Sequence, residues 1–460
     1  MERELKKYPI YYGDVKQTYP GIKPGMPLLS GSAIAGNIIF LSGFDGRTLE
    51  TGDVASNKFE EQMLSCLDNI RLALEEAGSS MDNLVKNLVL LKDIKDCPRM
   101  WKTMLDYYQK HAPHLIQEPP AVTVSQVDSL ARPEYLIEVD SIAVVSKNEP
   151  GWEMKKYPMY YGGVKQIYPN IEPGMPFLSE SVAVGNLLFL SGMTGENPDT
   201  GRIETNVFEE QMDIALDKVR TAMDKPGSSM SNIIKTLHFV TGLDSLLAES
   251  RDACVSYSPA SGRLWKSELE YYDNHAPYLL DEPPASTFLK VSSLANADSL
   301  GQIDVIGVIS RYRPGWRVKK YPCYLAKRGF PRHIGDIKKY YSNSVVVGNL
   351  VFLAGQTPTD PDTARVETDI FEEQMIMTLQ NLRAVLEETG SSLENLVKTY
   401  MLLPNPENCA AMRKIELEYY QKYAPQLIDE PPASTVIHPL NLATPRYLIE
   451  IDAIAFIPEP

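Results

Sequence analysis

The chain has 460 residues, 43% of them hydrophobic and 23% charged, with a formal charge of −15 and a pI near 5.0. That apolar share can bury a core and excludes a disordered chain, while the length exceeds one ordinary domain and suggests about three. The acidic balance argues against nucleic acid, whose phosphates require clustered Lys and Arg.

The opening MERELKKYP has no apolar run, so no secretory signal is expected. No stretch approaches the roughly 20 apolar residues of a membrane helix, so no membrane contact is expected either. Five cysteines without a CxxC pair suit a reducing cytoplasm better than a disulfide framework. Cys97 and Cys409, each ahead of a Tyr-Tyr pair (107–108 and 419–420), read as buried structural thiols. The six histidines show no HxxxH or HxH spacing, so neither a metal site nor a cofactor is expected.

In chain order, GNIIFLSG from Gly36 is a short apolar run closed by Gly and predicts a buried strand. Phe59, Met63, Leu67, Ile70 and Leu74 recur at helical steps, with Glu60 and Glu61 in the first turn and Gly78 past the end. NLVKNLVLL (83–91) predicts another strand. Pro98 opens a second helix in which Trp101, Leu105 and Tyr108 share a face. AVTVSQV and YLIEVDSIAVV close as strands, the last with Ile137, Val139 and Ile142 inward and Glu138 and Asp140 outward.

The pattern then repeats. GNLLFLSG begins at Gly185 and GNLVFLAG at Gly348; FEEQM recurs at Phe59, Phe208 and Phe371; KKYP recurs at Lys6, Lys155 and Lys319. EPPAVTV, EPPASTF and EPPASTV start at Glu118, Glu282 and Glu430. The first motif lies 82 residues before EPP in the outer copies and 97 in the middle one, an insertion of 15 placed near 245–263 and read as a surface loop. Pro-Gly turns in SKNEPGW (146–152) and SRYRPGW (310–316) mark linkers. A unit of about 150 residues is a whole domain, so three homologous domains are expected at 1–149, 150–313 and 314–460. The order β-α-β-α-β-β gives an α+β fold with both helices on one face of each sheet. The other face needs a partner, and three units can supply it to one another around a pseudo-threefold axis.

These blocks, in this order, resemble the Rid (YjgF) family of reactive-intermediate deaminases, in all three units. GNLVFLAGQTPTDPDT, FEEQMIMTLQNLRAVLEETGSSLENLVKTYMLL, EYYQKYAPQ, PPASTV and YLIEIDAIAF carry the resemblance in the third unit. It implies chorismate-mutase-like domains that normally form homotrimers with active sites in the clefts between subunits. Three fused copies imply an intramolecular pseudo-trimer, self-sufficient as one chain.

The resemblance also implies hydrolysis of 2-imino or 2-enamino acids to keto acids and ammonia. An Arg after Pro-Ala clamps the substrate carboxylate, a carboxylate on the last strand orients water, and a Tyr shapes the pocket. Carried over, the carboxylate is Glu138, Glu450 and, in the middle copy, Asp304. The Tyr survives only as Tyr341, against Leu29 and Leu178. The Arg is replaced by Val122, Ser286 and Ser434, followed by Thr123, Thr287 and Thr435 as further substrate-binding candidates. Losing such a clamp costs about 3 kcal/mol, or roughly a hundredfold in affinity. Either the substrate lacks a carboxylate, another cation such as Arg132 or Arg446 serves, or the sites are dead. Exposed loop arginines are usually solvated, however, and strand Thr and Glu often have no functional role. The expected function is an imine/enamine deaminase of altered specificity. The competing expectations are a non-catalytic small-molecule binder or scaffold, or a cyclase or lyase; acidity disfavours RNA cleavage.

Overall fold

The computed structural model describes residues 5–10, 27, 29–48, 52–54, 56–159, 176–242, 259–323, 341–363 and 365–458. The expected loop near 245–263 lies outside the described residues up to 258, and from Pro259 the chain is helical, in Pro259–His275.

The first repeat forms strands Ser30–Ala35 and Ile38–Leu41, helix Phe59–Glu76, strand Leu84–Leu91, helix Cys97–His111, and strands Ala121–Gln126 and Ile137–Val144. Gly36, at φ 65°, makes the tight turn between the first two strands, a left-handed conformation that favours glycine. The recurring KKYP is itself a strand: Leu5–Pro9 pairs antiparallel with Ser30–Ala35. Leu84–Leu91 runs parallel to Ala121–Gln126 and antiparallel to Ile137–Val144. The second and third repeats reproduce these pairings.

The period-two and period-3.6 patterns meet in one cluster. Phe59, Met63, Leu67, Ile70 and Leu74 of the first helix and Trp101, Met104 and Tyr108 of the second pack with Ile39, Leu41, Val89, Leu91, Ile137 and Val139. Alternate strand residues face the other way: Ile38, Phe40, Ile142 and Val144 join Val182, Leu187 and Phe189 of the second repeat and Val345, Phe352 and Ile454 of the third. Ile142 therefore shares the face of Asp140, not that of Ile137 as expected. Glu138 and Asp140, expected outward, are 4% and 2% exposed because the neighbouring repeats cover their side of the sheet.

The contacts between repeats follow one pattern three times. Ser179 N–H donates to Pro120 O, Ser342 N–H to Pro284 O, and Ser30 N–H to Pro432 O, at 2.8–3.1 Å. The second lysine of each KKYP strand reaches the carbonyl of the EPP glutamate in the preceding repeat: Lys156 to Glu118, Lys320 to Glu282, and Lys7 to Glu430. The linker tryptophans fill glycine seats. Trp152 lies on Gly36 and Trp316 on Gly185, and their rings meet edge-on at 4.5 Å.

Candidate functional site: three unequal junctions

A buried ion-pair cluster recurs where repeats meet. Lys86 Nζ lies 2.8 Å from Asp304 and Lys235 Nζ 2.5 Å from Asp452, and Lys398 pairs with Asp140. Each lysine comes from one repeat and each aspartate from another, running first to second, second to third and third to first. Thr123, Thr287 and Thr435 donate to these same aspartates. The three threonines expected to bind substrate are thus already engaged in structural clusters, because adjacent strand residues point to opposite faces. Lys86, Lys235, Lys398 and their aspartates line a cavity of about 60 Å³, into which Tyr400 adds its hydroxyl, 3.1 Å from Asp140. A recurring lysine inside the apolar strands NLVKNLVLL, NIIKTLHFV and NLVKTYMLL was the readable sign of it.

The register also corrects one carry-over. Asp304 stands opposite Leu237 as Asp140 stands opposite Leu88 and Asp452 opposite Tyr400. The residue in register with Glu138 and Glu450 is Gln302, opposite Phe239 as they are opposite Leu90 and Leu402. The catalytic assignment of Asp304 therefore falls. The acid survives in two repeats only.

Each of these residues sits beside the closing Gly of the preceding apolar strand. A Cβ on Gly43 would meet Glu138 Oε1 at 1.9 Å, one on Gly355 would meet Glu450 Oε1 at 1.7 Å, and one on Gly192 would meet the Gln302 amide at 2.7 Å. The same glycines donate N–H to the residue in the place of the family arginine: Gly43 to Ser434 O, Gly355 to Ser286 O and Gly192 to Val122 O, at 3.3–3.4 Å. Through these glycines Glu138, Glu450 and Gln302 come to the same three junctions as Ser434, Ser286 and Val122.

The first–second junction is apolar. Val122 is buried with Trp101, Phe177 and Leu178, and Trp101 meets Phe177 edge-on at 5.1 Å. Tyr108 OH is taken up by Asn87 at 3.1 Å.

The second–third junction is polar. Ser286 Oγ accepts from Thr236 at 3.0 Å and lies 3.4 Å from His238 Nδ1, while His238 Nε2 lies 2.8 Å from Glu268 Oε1. Tyr272 OH also donates to Glu268. Trp265 lies edge-on to His238 at 6.0 Å and stacks on Tyr341 at 6.2 Å, so the expected Tyr341 does enter this junction.

At the third–first junction Arg413, 3% exposed, donates to Ser434 Oγ at 3.3 Å and to Glu416 at 2.6 Å. Cys409 Sγ lies 3.7 Å from His438 Nε2, whose Nδ1 is 2.6 Å from Leu403 O. A guanidinium thus reaches the serine that replaces the family arginine, but it arrives from a helix and its charge is compensated by Glu416. Arg446 instead lies 57% exposed at Val366 O, and Arg132 pairs with Glu134. Counting back from the Tyr-Tyr pairs, Trp101, Trp265 and Arg413 are equivalent, as are Met104, Glu268 and Glu416. That substitution pattern was visible in the sequence but unread.

Electrostatics set the two glutamates apart from surface carboxylates. Burial, reinforced by Asp45 and Asp140, pushes Glu138 up to about 8. Burial and Asp452 push Glu450 up to about 8, and among the described residues its Oε2 has no hydrogen-bond partner. Both shifts favour the neutral acid near pH 7. Among the described residues no group of three or more His, Cys, Asp and Glu could hold a metal ion, and no helix is long and apolar enough to cross a membrane.

Comparison with known proteins agrees with the repeats. The model of the family described as endoribonuclease L-PSP matches residues 27–145, 170–309 and 334–457. A RutC family protein of Pyrococcus abyssi is 33% identical over 126 residues, 27% of this chain and 90% of the relative. The protein HMF1 of Saccharomyces cerevisiae is 37% identical over 87 residues, 18% of this chain and 65% of the relative. Among solved structures, the Rid-family protein YyfA of Yersinia pestis, described as of unknown function, is 27% identical with a TM-score of 0.23. The match covers 25% of this chain and 86% of that one. With three successive matches spanning most of its length, the chain belongs to the endoribonuclease L-PSP family, as a three-repeat Rid/YjgF protein.

Proposed function

We propose that the chain is a small-molecule enzyme that hydrolyses imines or enamines to carbonyl compounds and ammonia at its second–third and third–first junctions. Its domains are 1–149, 150–313 and 314–460, acting as an intramolecular counterpart of a trimer. The cyclic run of lysine–aspartate pairs supports this reading. Fusion makes the assembly independent of concentration and lets the three junctions diverge.

The observation that carries the activity is a pair of buried glutamates packed on Gly43 and Gly355, whose N–H groups reach the carbonyls of the serines that replace the family arginine; burial pushes both carboxyls up to about 8. A neutral carboxyl can protonate the imine nitrogen. Its conjugate carboxylate then takes a proton from the attacking water, and collapse of the carbinolamine releases ammonia and the carbonyl product. Ser286 is uncharged and Arg413 is compensated by Glu416, so the substrate class we assign is an imine without the usual carboxylate, neutral or amine-bearing. The apolar first–second junction, with Gln302 for the acid, is read as scaffold.

The test is ammonia release from an imine generated in situ from a primary amine by an amine oxidase. Wild type accelerates release, and the Glu138→Gln plus Glu450→Gln variant returns it to the uncatalysed rate. An unchanged rate in that variant rules the mechanism out.

A further inference from the structure

The chemistry of the second–third junction extends past a lone acid. Thr236 and His238 project from one face of strand Ile233–Val240, and Ser286 lies on the neighbouring parallel strand, directly opposite Thr236. The helix Pro259–His275 brings Glu268 to the far side of the imidazole. Burial is graded along this line: Ser286 is 7% exposed, Glu268 3% and His238 0%. The serine is the outermost member. Glu268 accepts from Tyr272 OH at 3.1 Å and takes the His238 Nε2 hydrogen at 2.8 Å, which leaves Nδ1 as the acceptor facing Ser286 Oγ. The 3.4 Å separation is long, as nucleophile–base contacts often are before substrate binds. Trp265, edge-on to the imidazole, restricts ring rotation. The equivalent places to His238 in the other repeats are Val89 and Met401, so among the described residues only this junction has such a line.

We propose that Ser286, His238 and Glu268 form a nucleophilic relay that cleaves uncharged acyl esters through a Ser286 acyl-enzyme. Ser286 Oγ attacks the ester carbonyl as its proton passes to His238 Nδ1. The carbonyl π electrons move to oxygen, forming the tetrahedral intermediate. Collapse expels the alcohol, which takes the proton from His238. Water then attacks the acyl-enzyme with His238 again as base, releasing the acid and restoring Ser286. Glu268 is a positioning residue acting through His238. This activity is independent of imine hydrolysis and is read without any imine present.

The experiment treats the full chain with a fluorophosphonate and follows the adduct by intact mass and peptide mapping. Stoichiometric labelling at Ser286 is expected, absent in Ser286→Ala, and slowed roughly 100-fold or more in His238→Gln, the usual range for loss of a general base. In Glu268→Gln the rate constant of labelling falls, because the imidazole loses the acceptor that fixes its tautomer, and Glu268→Asp restores part of the rate. A purely structural Glu268 would lower the labelled fraction without changing the rate constant of the fraction that remains folded. Absence of a Ser286 adduct in the folded wild-type chain overturns the proposal whether or not any variant folds, as does equal labelling of His238→Gln.

Discussion

Lys86 of the first repeat and Asp304 of the second lie 2.8 Å apart with both side chains buried, and the hydroxyl of Thr123 closes the group at 2.5 Å from the same carboxylate. Taking either charge away leaves its partner buried and unpaired. Lys86→Met should therefore cost about 3–5 kcal/mol, whereas Lys86→Met with Asp304→Asn should recover much of it. Urea denaturation of the two single variants and the double gives the coupling. A single variant as stable as wild type would mean the pair contributes nothing at this contact.

The three closing glycines offer a comparison within one molecule. Gly43→Ala and Gly355→Ala place a methyl 1.9 and 1.7 Å from the carboxyl oxygens of Glu138 and Glu450, so the acids must shift. Loss of turnover at the affected junction is expected, on the order of tenfold or more for such displacement. Gly192→Ala meets Gln302 in place of an acid and should leave ammonia release unchanged. Steady-state rates of the three variants, with melting temperatures alongside, check this.

Stability should fall with rising pH. Glu138 faces Asp45, Asp140, Arg47 and Lys398, and Glu450 faces Asp452 and Lys235; both sit at about 8 when folded against an ordinary value of 4.5. A carboxyl raised in the folded state binds its proton more tightly there than in the unfolded chain. Its contribution is thus full below about pH 4.5 and is lost as pH rises toward 8. Glu138→Gln with Glu450→Gln removes this dependence. Relative to wild type, the double variant should gain on the order of a few kcal/mol between pH 5 and pH 9. Thermal melts across that range measure it, and parallel curves would contradict it.

The repeats and the strand and helix order were legible because each rests on local pattern, whereas the junctions that bring Glu138 toward Ser434 and Glu450 toward Ser286 join different repeats and leave no local mark. What escaped had physical reasons. Gln302 was passed over for Asp304 because the two share a strand face, and a slip of two residues preserves facing. Ile142 was put with Ile137 although an odd step separates them, since apolar residues on both faces hide the alternation when both sides are covered. Arg413, His238 and Glu268 went unseen because the family motif directs attention to the strand after Pro-Pro-Ala, while these groups come from a helix and a neighbouring strand. The place of the threonines was hidden for the opposite reason: they are adjacent in sequence to the serines but belong to the other face, where they donate to the aspartates.

The claim on which the chemistry depends is that two carboxyls remain protonated at neutral pH. Infrared titration reads it directly, through the carbonyl stretch of neutral carboxyl groups. Wild type should keep such a band at pH 7 and lose it with a midpoint near 8. Glu138→Gln and Glu450→Gln should each remove about half of the band, and the double variant should remove it entirely. A wild-type spectrum with no neutral carboxyl left by pH 6, or a band that survives in the double variant, would contradict the assignment.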